Sequence, residues 1–421
     1  MAPEERKSTT CCIVGGGPAG MMLGLLLARA GVDVTVLEKH KDFLRDFRGD
    51  TVHPSTLRLL DELGLGAEFA RLPARRLEEM RMHIGSAVVT MADFRRMPGR
   101  GRHKYIAMVP QWDFLTLLAG TAAAEPAFTL RMSTAVTGLT TASDGRVTGV
   151  RYVDENGAPG ELAAGLTVAC DGRDSVAARA AGLRQNPFQV PMDVWQVRVP
   201  APDPGAAGSG RVFGHFGAGQ VAVTMDRGDY YQTSYLIKKG TDAALRRNDV
   251  RWLRERLGQL FGWGEEVTAA VGSWDDVKLL DVTMGRLPRW YADGLLCIGD
   301  AAHTMSPVGG VGVNLAVQDA VAAARLLAQP LLSRGRAGED VLARVQKRRT
   351  LPTAVTQKSQ LAEHEMLLRP ALEGTLDGHR LPFPLRLVRR SPLLQGLAAY
   401  AGGMGVRPEH APEFARRRVQ G

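Results

Sequence analysis

Three short motifs contain the residue types that bind phosphates and sugar hydroxyls. In the first, CCIVGGGPAG, Gly15, Gly17 and Gly20 form the pattern G-x-G-x-x-G. Glycines in this pattern permit a tight turn and a close approach of the backbone to a pyrophosphate, whose charge is stabilised by the positive N-terminus of the next helix. Glu38, 21 residues after Gly17, can accept hydrogen bonds from a ribose. An acid there favours an unphosphorylated adenosine ribose, as in FAD or NAD.

The second motif, LLCIGDAAHTMSPVGGVGVN, contains a carboxylate and the start of a helix. An apolar strand ends at Gly299 and Asp300. A glycine-rich loop from Pro307 then leads to a helix that opens around Val313 and Asn314. The carboxylate can bind a ribityl hydroxyl, and the helix N-terminus can stabilise negative charge on the pyrimidine ring of a reduced flavin. Because NAD has no ribityl chain, this motif favours FAD.

The third motif, ACDGRDSVAARAAG, places Asp171 and Gly172 at the end of a predicted strand. There they can lie beside a flavin and a docking nicotinamide.

The hydrophobic pattern predicts the elements that position the first motif. Residues 11–14 form an apolar strand, residues 18–30 have helical spacing, and residues 34–37 alternate with β-branched side chains. The sequence therefore predicts a βαβ unit with the glycines at its first turn.

A second sheet is predicted within the same chain. Residues 75–97 contain short alternating runs typical of antiparallel strands, and a helix follows from Trp112. Between residues 188 and 271, turns rich in Pro and Gly separate the strand-like runs RVFGHF, QVAVTM and YYQTSYLI. The last segment, of roughly 70 residues, is basic and helical and is broken by prolines.

These elements predict an α/β fold. It consists of a Rossmann-like FAD-binding domain, an inserted, mainly antiparallel β-sheet substrate domain, and C-terminal helices. The expected division assigns residues 1–74, 103–187 and 275–350 to the FAD-binding domain, residues 75–102 and 188–274 to the substrate domain, and residues 351–421 to the C-terminal helical region.

Composition argues against a fibrous or a mostly disordered protein. With 421 residues, 45% of them apolar, the chain is long enough for one large or two moderate globular domains. Its four cysteines lack C-x-x-C spacing, so neither a metal site nor a disulfide framework is expected. This cysteine pattern predicts a location in a reducing cytoplasm.

Charge and hydropathy predict neither a nucleic-acid partner nor a membrane partner. The net charge of +9 is spread along the chain without a zinc-finger or RNA-binding motif. Such a field also attracts an anionic nicotinamide cofactor. The leader MAPEERKSTT is polar and mixed in charge, unlike a secretory signal, and no window is expected to span a membrane. The sequence leaves the oligomeric state open.

The three motifs, in this order, resemble those of the class A, FAD-dependent monooxygenases of the p-hydroxybenzoate hydroxylase family, and they span residues 15–314. The resemblance implies non-covalent FAD. The residues it assigns to this cofactor are Gly15, Gly17, Pro18, Ala19, Gly20, Glu38, Lys39, Arg48, Gln111, Asp171, Gly299, Asp300, Pro307, Gly310, Gly312, Val313 and Asn314.

The resemblance also implies a reaction. NADH or NADPH reduces the flavin, O2 adds at its C4a carbon, and the hydroperoxide oxygenates an aromatic or other electron-rich small molecule. The protein orients the substrate and shields the peroxide from water. Because the sequence contains no second nucleotide-binding motif, the nicotinamide is expected to bind transiently in the cleft.

One residue departs from the family pattern D-G-x-x-S-x-x-R. The third residue after Ser175 is Ala178, and the arginine follows at Arg179. A shift of one position turns a side chain by about 100° around a helix. The nicotinamide-docking role of this arginine is therefore in doubt.

Candidate substrate residues lie on the run DYYQTSYLIKKG. Gln232 and Ser234 face one side of a strand, whereas Tyr231, Thr233 and Tyr235 face the other, and one of these sets is expected to line the cavity over the flavin. Further cavity candidates are Pro307, Trp195, Trp274 and His53. No catalytic residue is assigned, and His303 is expected to pack and hydrogen-bond rather than to move a proton.

Two alternative functions stay open. A flavin oxidase or reductase of the same fold would not transfer oxygen to a substrate, and a flavin-binding protein would have no turnover. A related halogenase is disfavoured because the sequence lacks W-x-W-x-I-P.

Overall fold

The computed structural model of the chain describes residues 7–44, 51–85, 87–201, 212–217, 219–227, 230–376 and 381–417. Its strands are β1 Ser8–Val14, β2 Val34–Leu37, β3 Thr51–Val52, β4 Arg75–Leu77, β5 Glu79–Ile84, β6 Ala87–Asp93, β7 Ile106–Met108, β8 Phe128–Arg131, β9 Ala135–Thr141, β10 Val147–Val153, β11 Pro159–Ala169, β12 Asn186–Phe188, β13 Met192–Pro200, β14 Val212–Gly217, β15 Gln220–Asp226, β16 Tyr230–Lys238, β17 Lys278–Leu280, β18 Met284–Arg286, β19 Tyr291–Ala292, β20 Leu295–Cys297 and β21 His303–Thr304.

The α-helices are α1 Pro18–Arg29, α2 Pro54–Glu62, α3 Gly66–Phe69, α4 Gln111–Ala123, α5 Val176–Ala180, α6 Asp242–Leu245, α7 Arg251–Phe261, α8 Glu265–Thr268, α9 Gly312–Arg334, α10 Glu339–Glu363, α11 Arg369–Leu372, α12 Phe383–Arg390 and α13 Pro392–Met404. Two 3-10 turns, Gly299–Ala301 and Val308–Gly310, precede α9, and a π-helix, His364–Leu368, continues α10. The α/β class is as predicted.

The first strand–helix–strand unit is present where the sequence predicts it. β1 and β2 are parallel, with Val14 paired to Leu37, and α1 connects them. Pro18 starts α1, where its fixed φ favours the helix and its missing N–H breaks no hydrogen bond. Every residue from Ala19 to Ala28 is buried, because α1 contacts β1, β2, β8, α4 and α9.

This unit forms the centre of an eight-stranded sheet in the described part of the chain. The sheet follows the path β19-β20-β11-β1-β2-β8, and β10 and β9 continue it from β11 as antiparallel strands. β8, β2, β1, β11 and β20 are parallel. Because the carboxyl ends of parallel strands meet at one edge of a sheet, the three motifs, which follow β1, β11 and β20, are brought together.

A seven-stranded sheet follows the path β17-β13-β16-β15-β14-β5-β6. Its pairs are antiparallel apart from β14 with β5. The predicted strands QVAVTM and YYQTSYLI are confirmed as parts of β15 and β16, and RVFGHF is confirmed from Val212 onward in β14. The sequence analysis did not predict the helices α6, α7 and α8, which follow β16.

The seven-stranded sheet and the helix α10 extend past the expected boundaries at residues 274 and 350. β17 pairs with β13 although it follows residue 274, and α10 runs through residue 350 without a break. β4, by contrast, pairs with β7 in a small separate sheet that also contains β3. The boundaries therefore depend on which strands pair and on how far α10 continues, and sequence periodicity reports neither.

In the described part of the chain, one helix is long and apolar enough to cross a membrane, contrary to the expectation that no window would be. The segment Val308–Arg334 has a mean hydropathy of 1.3 in its most apolar window, but 72% of that window is buried inside the protein. The apolar side chains of α9 pack in the core around α1.

Candidate cofactor and substrate site

The glycines of the first motif form the tight turn between β1 and α1. Gly15 has φ +101°, and a Cβ there would lie 2.6 Å from the Cys170 carbonyl oxygen. A Cβ on Gly20 would lie 1.9 Å from the Gly15 carbonyl oxygen. A Cβ on Gly17 would meet no protein atom within 4 Å. The protein backbone therefore requires glycine at positions 15 and 20, whereas Gly17 leaves the N-terminus of α1 open to a phosphate.

Glu38 lies beside this turn. Its Oε2 accepts a hydrogen bond from the Gly16 N–H at 2.7 Å, and its Oε1 accepts one from the His40 N–H at 3.1 Å and contacts His40 Nδ1. The residue is 9% exposed. The carboxylate is thus held next to Gly16, within the glycine turn, where a ribose acceptor is expected. Lys39 is exposed, and the sequence analysis did not include His40.

The second motif packs directly against the first. Gly299 has φ +60°, and a Cβ there would lie 3.3 Å from the Cβ atoms of Ala19 in α1 and Ala316 in α9. Asp300 follows in a 3-10 turn and is half-buried, and Gln185 donates to its carbonyl oxygen at 2.8 Å. Asp300 therefore lies at the edge of the sheet where the glycine turn lies.

The third motif borders the same turn. A Cβ on Gly15 would lie 2.9 Å from the Asp171 Cα. The Asp171 carboxylate accepts hydrogen bonds from the N–H groups of Val176 and Ala177, at 2.7 and 3.3 Å. Burial raises the pKa of Asp171 despite these bonds, each of which lowers it. The carboxylate thus caps α5, and the backbone of Asp171, rather than its side chain, forms the wall of the turn.

The shifted arginine of this motif points away from the core. Arg179 is exposed, and its guanidinium donates to the Asp174 carbonyl oxygen at 2.8 Å. Ala178, which stands where the resembling family has arginine, is buried in an apolar cluster. These contacts give no support to a nicotinamide-docking role for Arg179.

Hydrogen bonds of the Asn314 side chain link the start of α9 to β3 and α2. Its Oδ1 accepts hydrogen bonds from the His53 N–H at 2.9 Å and from the Thr56 hydroxyl at 2.8 Å. Its Nδ2 donates to the Thr51 carbonyl oxygen at 3.1 Å, and the Thr51 hydroxyl donates to the Gly310 carbonyl oxygen at 2.9 Å. The Asn314 side chain therefore positions the loop from within the protein.

The start of α9 presents free N–H groups, at Gly312 and Val313. The first intrahelical bond runs from the Leu315 N–H to the Val311 carbonyl oxygen, so the N–H groups before Leu315 have no acceptor within the helix. Together with the helix dipole, these N–H groups would stabilise a negatively charged pyrimidine ring of a reduced flavin. Pro307 is exposed where the loop begins.

A buried polar stripe on α10 and the π-helix holds this loop, and the sequence analysis missed it. Its members are three or four residues apart: Arg349, Thr353, Gln357, Gln360 and His364. Gln360 Oε1 accepts from the Ser306 N–H at 3.1 Å, and its Nε2 donates to the Val308 carbonyl oxygen at 2.8 Å. His364 Nε2 lies 2.9 Å from Ser306 Oγ. The stripe thereby fixes the loop that leads to α9.

A buried ion network lies under the second motif. Asp319 Oδ2 accepts from the Gly299 N–H at 3.1 Å and lies 2.6 Å from His303 Nε2, and Oδ1 accepts from Arg349 Nε at 2.7 Å. Burial acts to raise the pKa of Asp319, but His303 and Arg349 outweigh it and hold this pKa below its usual range. His303 is thus a packing and hydrogen-bonding residue, as the sequence analysis expected. Asp319 and Arg349 were not predicted.

One face of the seven-stranded sheet points toward this loop. This inner face contains Val194, Gln196, Gln232, Ser234 and Leu236. Ser234 donates to Gln196 Oε1 at 3.0 Å, and Gln232 Oε1 accepts from the Arg227 guanidinium at 3.1 Å. Val308 of the loop packs with the apolar cluster to which Val194 and Leu236 belong. The structure thus brings Gln232 and Ser234 to the side of the sheet that the loop contacts.

The opposite face of β16 is covered by helices. Tyr235 and Trp195 pack in a cluster with side chains of α7 and α8, and Tyr231 and Trp274 pack against this cluster. Thr233 bonds to a neighbouring strand, with its Oγ1 2.9 Å from the Thr224 hydroxyl. The structure therefore does not bring Tyr235, Trp195 or Trp274 to the loop.

The remaining predicted residues lie at the margins of the site. His53, at the start of α2, is 2% exposed, and burial lowers its pKa to about 4. Its Nδ1 lies 2.9 Å from the Gly402 carbonyl oxygen. Gln111 begins α4, shortly after β7 pairs with β3. Arg48 lies outside the described residues.

Proteins of known family match nearly the whole chain. The model of a family described as "FAD binding domain" matches residues 8–359. The 6-methylpretetramide 4-monooxygenase of Streptomyces rimosus is 33% identical over 393 residues, which cover 93% of this chain and 91% of that protein. The anhydrotetracycline monooxygenase of the same species is 31% identical over 322 residues, which cover 72% of this chain and 59% of that longer protein.

Solved structures share the fold. The anhydrotetracycline hydroxylase from Streptomyces rimosus superposes with a TM-score of 0.73 at 24% identity, covering 96% of this chain and 78% of that one. Pseudomonas aeruginosa PqsL, in complex with 2-aminobenzoylacetate, superposes with a TM-score of 0.72 at 22% identity, covering 88% of this chain and 99% of that one.

Proposed function

The chain belongs to the FAD binding domain family, and from this premise we propose that it hydroxylates a fused-ring aromatic phenol with O2 and NADH or NADPH. Because its matching relatives are named as monooxygenases, the chain is an FAD-dependent monooxygenase and thus an oxidoreductase. The substrate class is inferred from the two Streptomyces rimosus relatives, whose names give tetracycline-type compounds.

The observation that carries the proposal is the meeting of turns from distant parts of the chain at one edge of the eight-stranded sheet. Gly299 lies against Ala19, so the glycine turn and the turn with Asp300 form one surface. This surface fits FAD. The N-terminus of α1 at Gly17 suits the pyrophosphate, Glu38 suits the ribose, Asp300 suits the ribityl chain, and the N-terminus of α9 suits the flavin ring.

Bound FAD supplies the redox chemistry by which NAD(P)H and O2 oxygenate the substrate. The protein's own residues hold this surface in place. Asp319 fixes the turn at Gly299, and Gln360 and His364 fix the loop before α9. Because these donors and acceptors are already aligned by protein contacts, little reorganisation is needed when charge develops at the helix N-terminus.

We assign the substrate to the space between this loop and the inner face of the seven-stranded sheet. Val194 and Leu236, with Val308 packed against their apolar cluster, border this region on one side, and apolar side chains there would shield the reacting oxygen from water. Gln232 and the hydrogen-bonded Ser234 provide the polar groups that orient a substrate hydroxyl. Apolar walls with a few polar groups are typical of small-molecule sites between two structural units.

The domain assignment follows the two sheets. The eight-stranded sheet with its βαβ unit is assigned to the Rossmann-like FAD-binding domain and the seven-stranded sheet to the substrate domain. The second substrate segment then extends to residue 280, and the C-terminal region begins at residue 364. We further propose a cytoplasmic location and transient binding of the nicotinamide cofactor.

Turnover by the purified yellow protein tests the function. NADH and NADPH consumption is measured over a panel of phenols, aromatic polyketides and indoles, with heavy-isotope O2. The expected result is consumption stimulated by a fused-ring phenol, with one labelled oxygen atom in the product. Consumption that yields only hydrogen peroxide would identify an oxidase, and a protein that cannot be reconstituted with FAD would contradict the proposal altogether.

A further inference from the structure

A cavity lies between α9, α10 and the chain after α13, and we propose that it binds a soluble diphosphate ester such as a nucleoside diphosphate. Its volume is about 590 Å³, and its walls carry four cations, Arg344, Lys347, Arg348 and Arg407, and one carboxylate, Glu409. The proposed hydroxylation uses none of these residues, so this site does not depend on that function.

The cavity lies away from the surface assigned to the flavin. Helix α9 connects the two places, because Gly312 begins the helix at the flavin end and Leu326, which lines the cavity, follows 14 residues later. This separation corresponds to about 21 Å along the helix axis. A ligand in the cavity can therefore be bound at the same time as FAD.

The walls of the cavity have an excess of positive charge. Glu409 is 2% exposed, and its carboxylate oxygens accept hydrogen bonds from the Arg348 guanidinium at 2.7 and 2.8 Å. Arg348 thus neutralises Glu409. Among the residues that the structure describes, no carboxylate lies within ion-pair distance of Arg344, Lys347 or Arg407. These three cations therefore lack a counter-ion from the protein.

The spacing along α10 groups three of the four cations. Arg344, Lys347 and Arg348 stand at positions i, i+3 and i+4, so they lie on one side of the helix. Like charges at this spacing repel one another. An oxyanion between them would replace this repulsion by attraction, and planar guanidinium groups suit the paired oxygens of a phosphate.

Arg407 reaches the cavity from a strained backbone. Its φ of +49° lies in the left-handed region, which among the described non-glycine residues only Ser133 shares. Such strain persists where the surrounding structure imposes it, and it is frequent at ligand sites. Here Glu409, two residues later, is anchored, since its N–H donates to Gln318 Oε1 and its carbonyl oxygen accepts from the Arg58 guanidinium at 3.3 Å. The strained backbone is a second observation, independent of charge, that points to a ligand.

Size and composition of the cavity suit an ester rather than a bare inorganic ion. Its volume falls within the range of roughly 300–1,000 Å³ that is typical of small-molecule sites. Leu326 and Pro408 add apolar surface beside the cations, which can cover the organic part of a ligand. Three unpaired cations suit the multiple negative charge of a diphosphate, whereas a single carboxylate would leave some of them unpaired.

Calorimetric titration with inorganic pyrophosphate tests the site in the FAD-loaded protein, in which FAD already occupies the glycine turn. The parent should bind one equivalent at low ionic strength and bind it more weakly as salt is added. Lys347→Gln should raise the Kd about 10-fold or more, as expected when a hydrogen bond to a charged group is lost. The matched control is Lys358→Gln, at an exposed lysine about three turns later on α10 and outside the cavity, which should keep the parental Kd.

Arg407→Gly separates the role of the side chain from that of the backbone. Glycine adopts a positive φ without strain, so the Tm should stay the same or rise, while the Kd for pyrophosphate should rise about 10-fold. Equal Kd values in the parent, Lys347→Gln and Arg407→Gly would overturn the site, as would a parent that binds no pyrophosphate.

Two further titrations identify the kind of ligand. ADP should bind at least as tightly as pyrophosphate, because Leu326 and Pro408 can cover its nucleoside. Much weaker binding of ADP would restrict the cavity to an inorganic ion and overturn the ester. Binding to phosphatidylglycerol vesicles without binding to pyrophosphate would overturn the soluble diphosphate in favour of a lipid headgroup.

Discussion

Gly299 lies against Ala19, although the two residues are far apart in the sequence: a Cβ on Gly299 would lie 3.3 Å from the Ala19 Cβ. The contact joins the glycine turn at the start of α1 to the turn that carries Asp300. Because Gly299 has φ +60°, any larger residue there would be strained and would also push α1 away from α9. The two halves of the proposed cofactor surface therefore meet at this contact, and substitutions on either side of it test each half separately.

Gly17→Val is expected to abolish FAD binding without unfolding the protein. The added side chain would meet no protein atom close to its Cβ, and φ of −74° at this position suits any residue. It would, however, fill the approach to the N-terminus of α1. Glu38→Ala should weaken binding less, because it removes a ribose contact and leaves the approach open. Flavin absorbance after reconstitution and the Tm of the apoprotein measure the two effects.

The control for this experiment is Gly20→Ala. Its Cβ would lie 1.9 Å from the Gly15 carbonyl oxygen, so the fold itself should be destabilised and the Tm should fall. Parental FAD affinity in Gly17→Val would show that the turn is not the phosphate site.

Asp300→Ala should weaken FAD binding by roughly 1.5–3 kcal/mol, the contribution of a hydrogen bond to a charged group. This corresponds to about a 10- to 150-fold higher Kd, which quenching of flavin fluorescence can measure. Asp174→Ala, at an exposed aspartate of the third motif, is the matched control. An unchanged Kd in Asp300→Ala would show that the Asp300 carboxylate does not bind the ribityl chain of FAD.

The cofactor motifs could be predicted from the sequence because their parts are adjacent in the chain. A strand, a glycine-rich turn and a helix start predict a cofactor site at Gly17 and at Asp300 without knowledge of the tertiary fold. The polar stripe on α10 could not be predicted in this way. Gln360 and His364 have the composition of a solvated helix face, and only the packing of α10 against the loop buries them.

The two faces of β16 also show that a sequence pattern does not report which surface tertiary packing covers. Alternation along the strand correctly separated Gln232 from Tyr235. It did not identify the inner face, because that depends on the helices α7 and α8, which cover Tyr235 and which the sequence analysis did not predict.

Gln232→Leu should uncouple the enzyme. NAD(P)H oxidation should continue while oxygen is diverted to hydrogen peroxide, because a displacement of the acceptor by about 1 Å can lower the rate of transfer about 100-fold. The control is Tyr235→Phe on the covered face, which should keep parental coupling. The ratio of product to NAD(P)H consumed measures the effect. If Gln232→Leu stays coupled and Tyr235→Phe does not, the cavity lies on the other side of the sheet.

Asp319→Asn should destabilise the protein by about 3–5 kcal/mol near neutral pH, as expected when one partner of a buried ion pair is removed. Arg349, 1% exposed, would lose the carboxylate that lies 2.7 Å from its Nε and keep only the more distant Glu409, 3.9 Å from its Nη1. The effect should depend on pH. His303 and Arg349 hold the pKa of Asp319 below its usual range against the opposing effect of burial. The carboxylate therefore contributes stability above the pKa of an unfolded aspartate, about 3.9, and loses it as the pH falls through the lower folded-state pKa.

The difference in the free energy of unfolding between parent and Asp319→Asn should thus be full between about pH 7 and pH 5 and should shrink below about pH 4. Urea unfolding at several pH values measures it, with Asp174→Asn as the exposed control that should change little. FAD affinity should fall in parallel, because the Gly299 N–H loses the charge of its acceptor. A variant as stable as the parent at pH 7 would mean that the network does not hold the turn that carries Asp300.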